Sequence, residues 1–158
     1  MMLAALTSLF AAAFLAATPL PFQSEVVFLS LMAAEAAPVL WLVIVASVGN
    51  TLGSCLTYAV GRGLGGARGA RWFPLGPAQL ARAEVWFGRW GLWSLLLSWA
   101  PGGDVIVALA GLLRVPFGRF LALVALAKTL RYLAVAGAGA GLIDMLAPLF
   151  PSLTGAGP

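Results

Sequence analysis

The chain has 158 residues, of which 62% are hydrophobic and only 9% are charged, whereas soluble domains carry about 25% charged residues. We therefore exclude a soluble globular domain and predict an all-α integral membrane protein, with one membrane domain over residues 1–145 and a disordered tail over residues 146–158. With no histidine, one cysteine and a net charge of +4 that no nucleic-acid-binding motif accompanies, the chain is expected to bind no metal, cofactor or nucleic acid.

The first apolar stretch, Met1 to Met32, is interrupted by Pro19 and Pro21. A helix does not continue through these prolines, and each side of the break is too short to cross a bilayer. We predict a re-entrant hairpin, which enters the membrane and returns to the same side. A secretory signal over Met1 to Thr18 is the alternative, but this segment lacks the positive charge with which such signals begin.

The next stretch, Val39 to Gly61, is long enough to cross a hydrocarbon core of about 30 Å as a helix. A linker over residues 63–90 follows, and Pro77 to Trp90 reads as an amphipathic helix. This helix either lies on the membrane surface or caps the helix bundle.

The second half of the chain repeats this order. Gly91 to Leu113 is interrupted by Pro101, Gly102 and Gly103, which predicts a second re-entrant hairpin. Phe117 to Gly141 is a second crossing helix. Backbone groups freed at the broken tips need protein or water around them, because lipid offers them no hydrogen bonds.

Corresponding features of the two halves lie 78 to 80 residues apart. The matching pairs are Pro21 and Pro101, Glu25 and Asp104, Pro38 and Pro116, Asn50 and Lys128, and Gly53 and Arg131. We therefore predict one repeat over about residues 1–62 and another over about 91–145, each a hairpin plus one transmembrane helix. Because each repeat crosses the membrane once, the second repeat begins on the opposite side from the first, and the two repeats have inverted orientations. A chance alignment of Ala- and Leu-rich segments is the alternative.

Arginine positions favour this topology. If the second hairpin returns to its own side, linker 62–90 and turn 114–119 share one side, and by the positive-inside rule that side is cytoplasmic. The arginines concerned are Arg62, Arg68, Arg71, Arg82, Arg89, Arg114 and Arg119. Both termini, Glu35 and Asp144 then lie outside.

Four charged residues fall within the apolar segments and are the main candidates for a site. Glu25 and Asp104 follow the two proline breaks, in the first turn of a helix, where the helix dipole favours a carboxylate. Lys128 and Arg131 share one face of the last span near mid-depth. Charges at this depth indicate function, although mutual neutralisation is the structural alternative. Asn50 and Tyr132 could add hydrogen bonds.

Two glycine pairs, Gly49 with Gly53 and Gly137 with Gly141, have the GxxxG spacing that lets transmembrane helices approach closely. We interpret them first as packing residues. No serine or cysteine has a histidine partner, since the chain lacks histidine, and we therefore expect no enzymatic activity and no catalytic residues.

Several segments together resemble the DedA family of membrane proteins, also called the SNARE-associated or VTT-domain family, and specifically its YqaA-type branch. The matching segments are Ser24–Val27, Gly49–Gly53, Ser98–Asp104, Leu109–Gly111 and Lys128–Tyr132. The resemblance implies two re-entrant hairpins facing each other, a multi-pass protein of the bacterial plasma (inner) membrane, and a role in lipid movement or envelope homeostasis that often depends on the proton motive force.

We expect a transporter-like protein that translocates an anionic lipid, either a phospholipid or a polyprenyl phosphate. Arg131 and Lys128 would bind the phosphate, and Glu25 and Asp104 would gate or couple movement through protonation. The alternatives are a non-transporting assembly or stability factor and a carrier of small ions or solutes. The sequence is also compatible with a homodimer.

Overall fold

A computed structural model describes residues 1–18, 23–63, 77–100 and 103–146, and these residues are helical apart from short turns. The helices are α1 (Met2–Ala16), α2 (Ser24–Ala33), α3 (Val39–Gly63), α4 (Pro77–Trp90), a 3₁₀ helix (Gly91–Trp99), α5 (Asp104–Leu112) and α6 (Phe117–Leu146). Within them, Val39–Gly63 and Phe117–Leu142 are long and apolar enough to cross a membrane. For the described residues, the prediction of an all-helical protein with two long apolar helices is confirmed.

Both shorter apolar stretches are broken near the predicted positions. Helix α1 ends at Ala16 and α2 begins at Ser24, while the 3₁₀ helix ends at Trp99 and α5 begins at Asp104. Pro19, Pro21, Pro101 and Gly102 lie outside the described residues, as does the predicted tail from residue 147. Gly103 is described, and a Cβ there would lie 2.6 Å from the Ser98 backbone, so this turn requires glycine.

Each broken stretch consists of two helical arms, α1 and α2 in the first stretch and the 3₁₀ helix and α5 in the second. The first arm of the second stretch, Gly91–Trp99, is a 3₁₀ helix and not the α-helix that its composition suggests. A 3₁₀ helix rises about 2.0 Å per residue, so nine residues reach about 18 Å instead of about 14 Å. The corresponding arm, α1, has 15 residues and reaches about 22 Å. The tighter winding thus brings the shorter arm closer to the length of its counterpart.

Helix α3 is central and packs against α1, α5 and α6. The first arm of each stretch packs on the long helix of its own half, α1 on α3 and the 3₁₀ helix on α6. The second arm packs on the long helix of the other half, α5 on α3 and α2 on α6. The two halves are therefore interlocked.

Two separate apolar cores result from this packing. The first gathers residues of α1, α2, the beginning of α3 and the end of α6, including Leu9, Phe28, Leu42, Tyr132 and Ala136. The second gathers the end of α3, the 3₁₀ helix, α5 and the beginning of α6, including Tyr58, Leu95, Val107, Phe120 and Val124. The middle sections of α3 and α6 lie between these cores and carry polar residues.

Glycines in α3 permit close contact with α1. A Cβ on Gly49 would lie 2.7 Å from the carbonyl oxygen of Phe10, and one on Gly53 would collide with that of Phe14. Further along α3, Gly61 meets the α5 backbone, and Gly111 of α5 meets the α3 backbone in the same way. The contact between α3 and α5 was not predicted from a GxxxG spacing.

The second predicted glycine pair makes no close helix contact within the described residues. A Cβ on Gly137 or Gly141 would meet no atom of another described segment within 4 Å, whereas one on Gly139 would lie 2.6 Å from Leu29 of α2. The buried face of α6 runs through positions 132, 136 and 139. Gly137 is rotated about 100° from position 136, so it points away from α2.

The second arms end in the same turn in both halves. Glu35 after α2 and Arg114 after α5 have positive φ angles of 47° and 55°. In each turn the next residue's N–H donates to the carbonyl five positions earlier, as in a Schellman cap. Pro38 and Pro116 then accept the first hydrogen bonds of α3 and α6.

Helix α4 has the predicted bounds, Pro77–Trp90, and contacts the 3₁₀ helix and α5. Phe87 packs against the second core, and Arg82, Arg89 and Trp90 are exposed. The side chains of Gln79, Leu80 and Ala83, which belong to the predicted amphipathic pattern, lie outside the described part of the structure.

Candidate functional site

The two predicted carboxylates begin the second arms. Glu25 is the second residue of α2 and Asp104 is the first residue of α5. Each follows a break in an apolar stretch, and the unpaired N–H groups of a helix N-terminus favour a negative charge there. The prolines and glycines that interrupt the helices therefore also create helix N-termini, at which a carboxylate is stabilised inside an apolar segment.

The two predicted cations lie on α6, eleven and fourteen residues after Phe117. At the α-helical rise these positions are about 16 and 21 Å from the start of the helix. The spacing places Lys128 and Arg131 on neighbouring parts of one face. They therefore lie between the two apolar cores.

Arg131 forms an ion pair with Glu25, in which the guanidinium Nη2 donates to the carboxylate Oε1. The two side chains are exposed by 24% and 25%. This pair joins α6 to the N-terminus of α2. Its partial exposure leaves both groups within reach of another ligand.

Lys128 forms the second ion pair, with its Nζ atom 3.3 Å from Oδ1 of Asp104. The Lys128 side chain is only 1% exposed, whereas Asp104 is 28% exposed. This pair joins α6 to the N-terminus of α5. The four predicted charges are thus arranged as two bridges, one to each second arm, and the cations of the two bridges differ sharply in exposure.

Tyr132 lies next to Arg131 and joins several helices through its hydroxyl group. That oxygen is 2.7 Å from Oγ of Ser24 and 3.3 Å from Nδ2 of Asn50, which donates to it. The ring packs against Phe28 of α2, with centroids 5.5 Å apart. The structure therefore brings the predicted pair Asn50 and Tyr132 together at the Arg131–Glu25 bridge.

Ser24 is a site residue that sequence reasoning did not select. It precedes Glu25 at the start of α2, is buried, and bonds to Tyr132. Its position shortly after the proline break was the available signal.

Helix α3 also holds the end of α1 through polar side chains. Asn50 Nδ2 donates to the carbonyl of Ala13 at 3.0 Å, and Thr57 Oγ1 donates to that of Ala17 at 2.8 Å. Carbonyls at a helix C-terminus lack intrahelical partners. These bonds therefore provide donors for carbonyl groups at the C-terminal end of α1, next to the break. Thr57 is a second residue that sequence reasoning missed.

Four buried side-chain atoms have no hydrogen-bond partner within the described residues. They are Oγ of Ser47, Oδ1 of Asn50, Oγ of Ser54 and Oγ of Ser98. Burying an unpaired polar atom costs about 1–3 kcal/mol. Three of these residues lie along one side of α3, so the layer between the cores has spare hydrogen-bonding capacity.

The described residues contain no group of three His, Cys, Asp or Glu side chains that could hold a metal ion. The layer presents a guanidinium that is about one-quarter exposed, two carboxylates, and hydroxyl and amide groups. Such a set can bind an oxyanion by exchange with a carboxylate.

Comparison with known proteins found similarity over most of the chain. The VTT domain family matches residues 18–141. The inner membrane protein YqaA of Escherichia coli (strain K12) is 39% identical over 134 residues, covering 84% of this chain and 89% of that protein, and the Shigella flexneri protein of the same name matches equally. An uncharacterised protein of Haemophilus influenzae is 36% identical over 139 residues, covering 80% of this chain and 82% of that one. No solved structure matches.

Proposed function

This chain belongs to the VTT domain family, and we propose that it is a bacterial inner-membrane protein that translocates an anionic lipid across the bilayer. The lipid would be a phospholipid or a polyprenyl phosphate. The name of the E. coli relative, inner membrane protein, supports the location. The two long apolar helices support it independently.

Large apolar side chains are exposed along both long helices, as expected where helices face lipid rather than water. On α3 they include Ile44, Val48, Leu52, Leu56 and Val60, and on α6 Leu126, Leu130 and Leu133. We therefore assign α3 and α6 as the two crossing helices of a multi-pass protein.

The shorter helices are proposed to form two re-entrant hairpins related by an inverted repeat. The arms reach only about 14–22 Å by helix geometry, less than a hydrocarbon core of about 30 Å. The interlocked packing and the matching turns at Glu35 and Arg114 support the repeat. The positive charge of Arg114 agrees with a cytoplasmic position for its turn. Linker 62–90 and turn 114–119 would then be cytoplasmic.

The observation that carries the lipid proposal is the partly exposed Arg131–Glu25 pair at mid-depth. A guanidinium presents a planar fork that matches a phosphate, and a phosphate can take the place of its carboxylate partner. Because Lys128 is 1% exposed and paired with Asp104, we assign headgroup binding to Arg131. Lys128, about one helical turn from Arg131, adds positive charge without contacting the phosphate directly.

In the proposed cycle, the phosphate displaces Glu25 from Arg131 on entry, and Glu25 re-forms the pair on release. The carboxylate thereby keeps the guanidinium from remaining unpaired in an apolar layer, which would be costly. Proton coupling would follow if Glu25 is protonated when it leaves the guanidinium. The spare acceptors Asn50 Oδ1 and Ser54 Oγ could receive hydrogen bonds during this exchange.

The test is lipid translocation in proteoliposomes, measured with labelled phospholipid and labelled polyprenyl phosphate, with and without a pH gradient. Arg131→Gln and Glu25→Gln should each abolish movement in folded protein. Arg82→Gln, which removes an exposed cation of α4, is the matched control and should leave the rate unchanged. Wild-type rates in folded Arg131→Gln protein would refute the proposed site.

A second candidate is a non-transporting membrane assembly or stability factor. It is favoured by the pairing of all four charges within the chain, which suits a structural brace. In that case removing any one charge should destabilise the protein, whereas a transport site often gains stability when activity is lost. A small-ion or solute carrier is a further candidate, because unpartnered polar atoms lie along α3, and it would show uptake without lipid movement.

A further inference from the structure

A groove lies where the 3₁₀ helix packs against the beginning of α6, away from the two ion pairs. It encloses ≈ 310 Å³ and is lined by Leu92, Trp93, Arg119, Ala122 and Leu123. Lys128 is rotated about 140° from Leu123 around α6, so the charged layer faces elsewhere. The groove is apolar except for Arg119.

The charge around this groove is predominantly positive. Arg119 is the third residue of α6, and Arg114 lies in the turn before it. Helix α4, which contacts the 3₁₀ helix, exposes two further arginines and one glutamate. An anionic group is therefore attracted to the part of the groove that Arg119 lines.

The remaining lining fits the boundary between headgroups and acyl chains. Trp93 is 69% exposed, and tryptophan is enriched at this boundary because its ring is both apolar and able to donate a hydrogen bond. The residues Ala122 and Leu123 continue one turn deeper along α6 than Arg119. The volume is at the lower end of the range of ligand sites, enough for part of one acyl chain.

We infer that this groove binds one anionic phospholipid of the surrounding leaflet. Its phosphate contacts Arg119, and the upper part of one acyl chain lies against Leu92, Ala122 and Leu123. The lipid fills the space between the 3₁₀ helix and α6, so it stabilises the packing of the second hairpin on its crossing helix. The site is separate from the proposed translocation site and requires no lipid movement.

The test measures retained lipid by native mass spectrometry and the melting temperature of the purified full-length protein, titrated with phosphatidylglycerol or phosphatidylcholine. We expect tighter binding and a larger rise in melting temperature with phosphatidylglycerol. Arg119→Gln should weaken phosphatidylglycerol binding roughly fivefold, the effect of one surface cation, and reduce the preference over phosphatidylcholine by the same factor. Arg119→Lys should keep most of the preference because it keeps the charge.

Two further measurements distinguish the contribution of the acyl-chain contact from that of the charge. Ala122→Phe fills the groove and should weaken binding of both lipids, whereas Leu52→Phe, at an exposed position of α3, which does not line the groove, should not. Soluble glycerol phosphate should cause no shift in melting temperature. The inference is overturned if Arg119→Gln and Ala122→Phe both bind phosphatidylglycerol as the wild type does, or if glycerol phosphate alone reproduces the shift.

Discussion

Removing one member of the Lys128–Asp104 pair should have unequal effects depending on which member is removed. At a separation of 3.3 Å, two unit charges attract by about 5 kcal/mol at an effective dielectric constant of about 20. Much of this attraction offsets the cost of burying the ammonium group. Asp104→Asn leaves Lys128, which is 1% exposed, without its carboxylate, and should cost about 3–5 kcal/mol. Lys128→Met leaves Asp104, which is 28% exposed, and should cost only about 1–3 kcal/mol.

The assay is the free energy of unfolding in mixed micelles, obtained by denaturant titration of the wild type, both single variants and the double variant. Because the double variant buries no unpaired ammonium group, it should be more stable than Asp104→Asn alone. Glu84→Gln, at an exposed position of α4, is the control for loss of a carboxylate. Equal costs for the two single variants, adding up in the double variant, would refute the reasoning.

Three further predictions concern the same unfolding free energy. Tyr132→Phe removes the hydroxyl that bonds Ser24 and Asn50, and should cost about 1–3 kcal/mol; an unchanged value would contradict the network. Gly53→Ala forces α1 and α3 apart and should cost about 1–3 kcal/mol. Gly137→Ala should be neutral or stabilising by up to about 1 kcal/mol. Equal effects of the two substitutions would contradict the assigned face of α6. Glu35→Gly relieves a positive φ and should stabilise by up to about 1 kcal/mol, and a clear loss of stability would contradict the turn.

The sequence alone was sufficient to locate the long helices, the linker helix and the breaks. Proline and glycine break helices through local backbone chemistry, and uninterrupted apolar length identifies a crossing helix without knowledge of its neighbours. For this reason the predicted starts at Val39, Pro77 and Phe117 agree with the structure. The same local reasoning selected Glu25 and Arg131 as candidates, because charges in apolar segments are expensive wherever they point.

Relations between helices were decided by the tertiary structure. Which carboxylate pairs with which cation, why Lys128 is fully buried while Arg131 is not, and why Gly139 instead of Gly137 contacts α2 all depend on the rotation of α6. The 3₁₀ form of Gly91–Trp99 likewise accompanies its packing on α6. A helix repeats every 3.6 residues whatever its neighbours are, so its sequence limits the possible faces, but the face that is buried is chosen by the packing of the whole bundle.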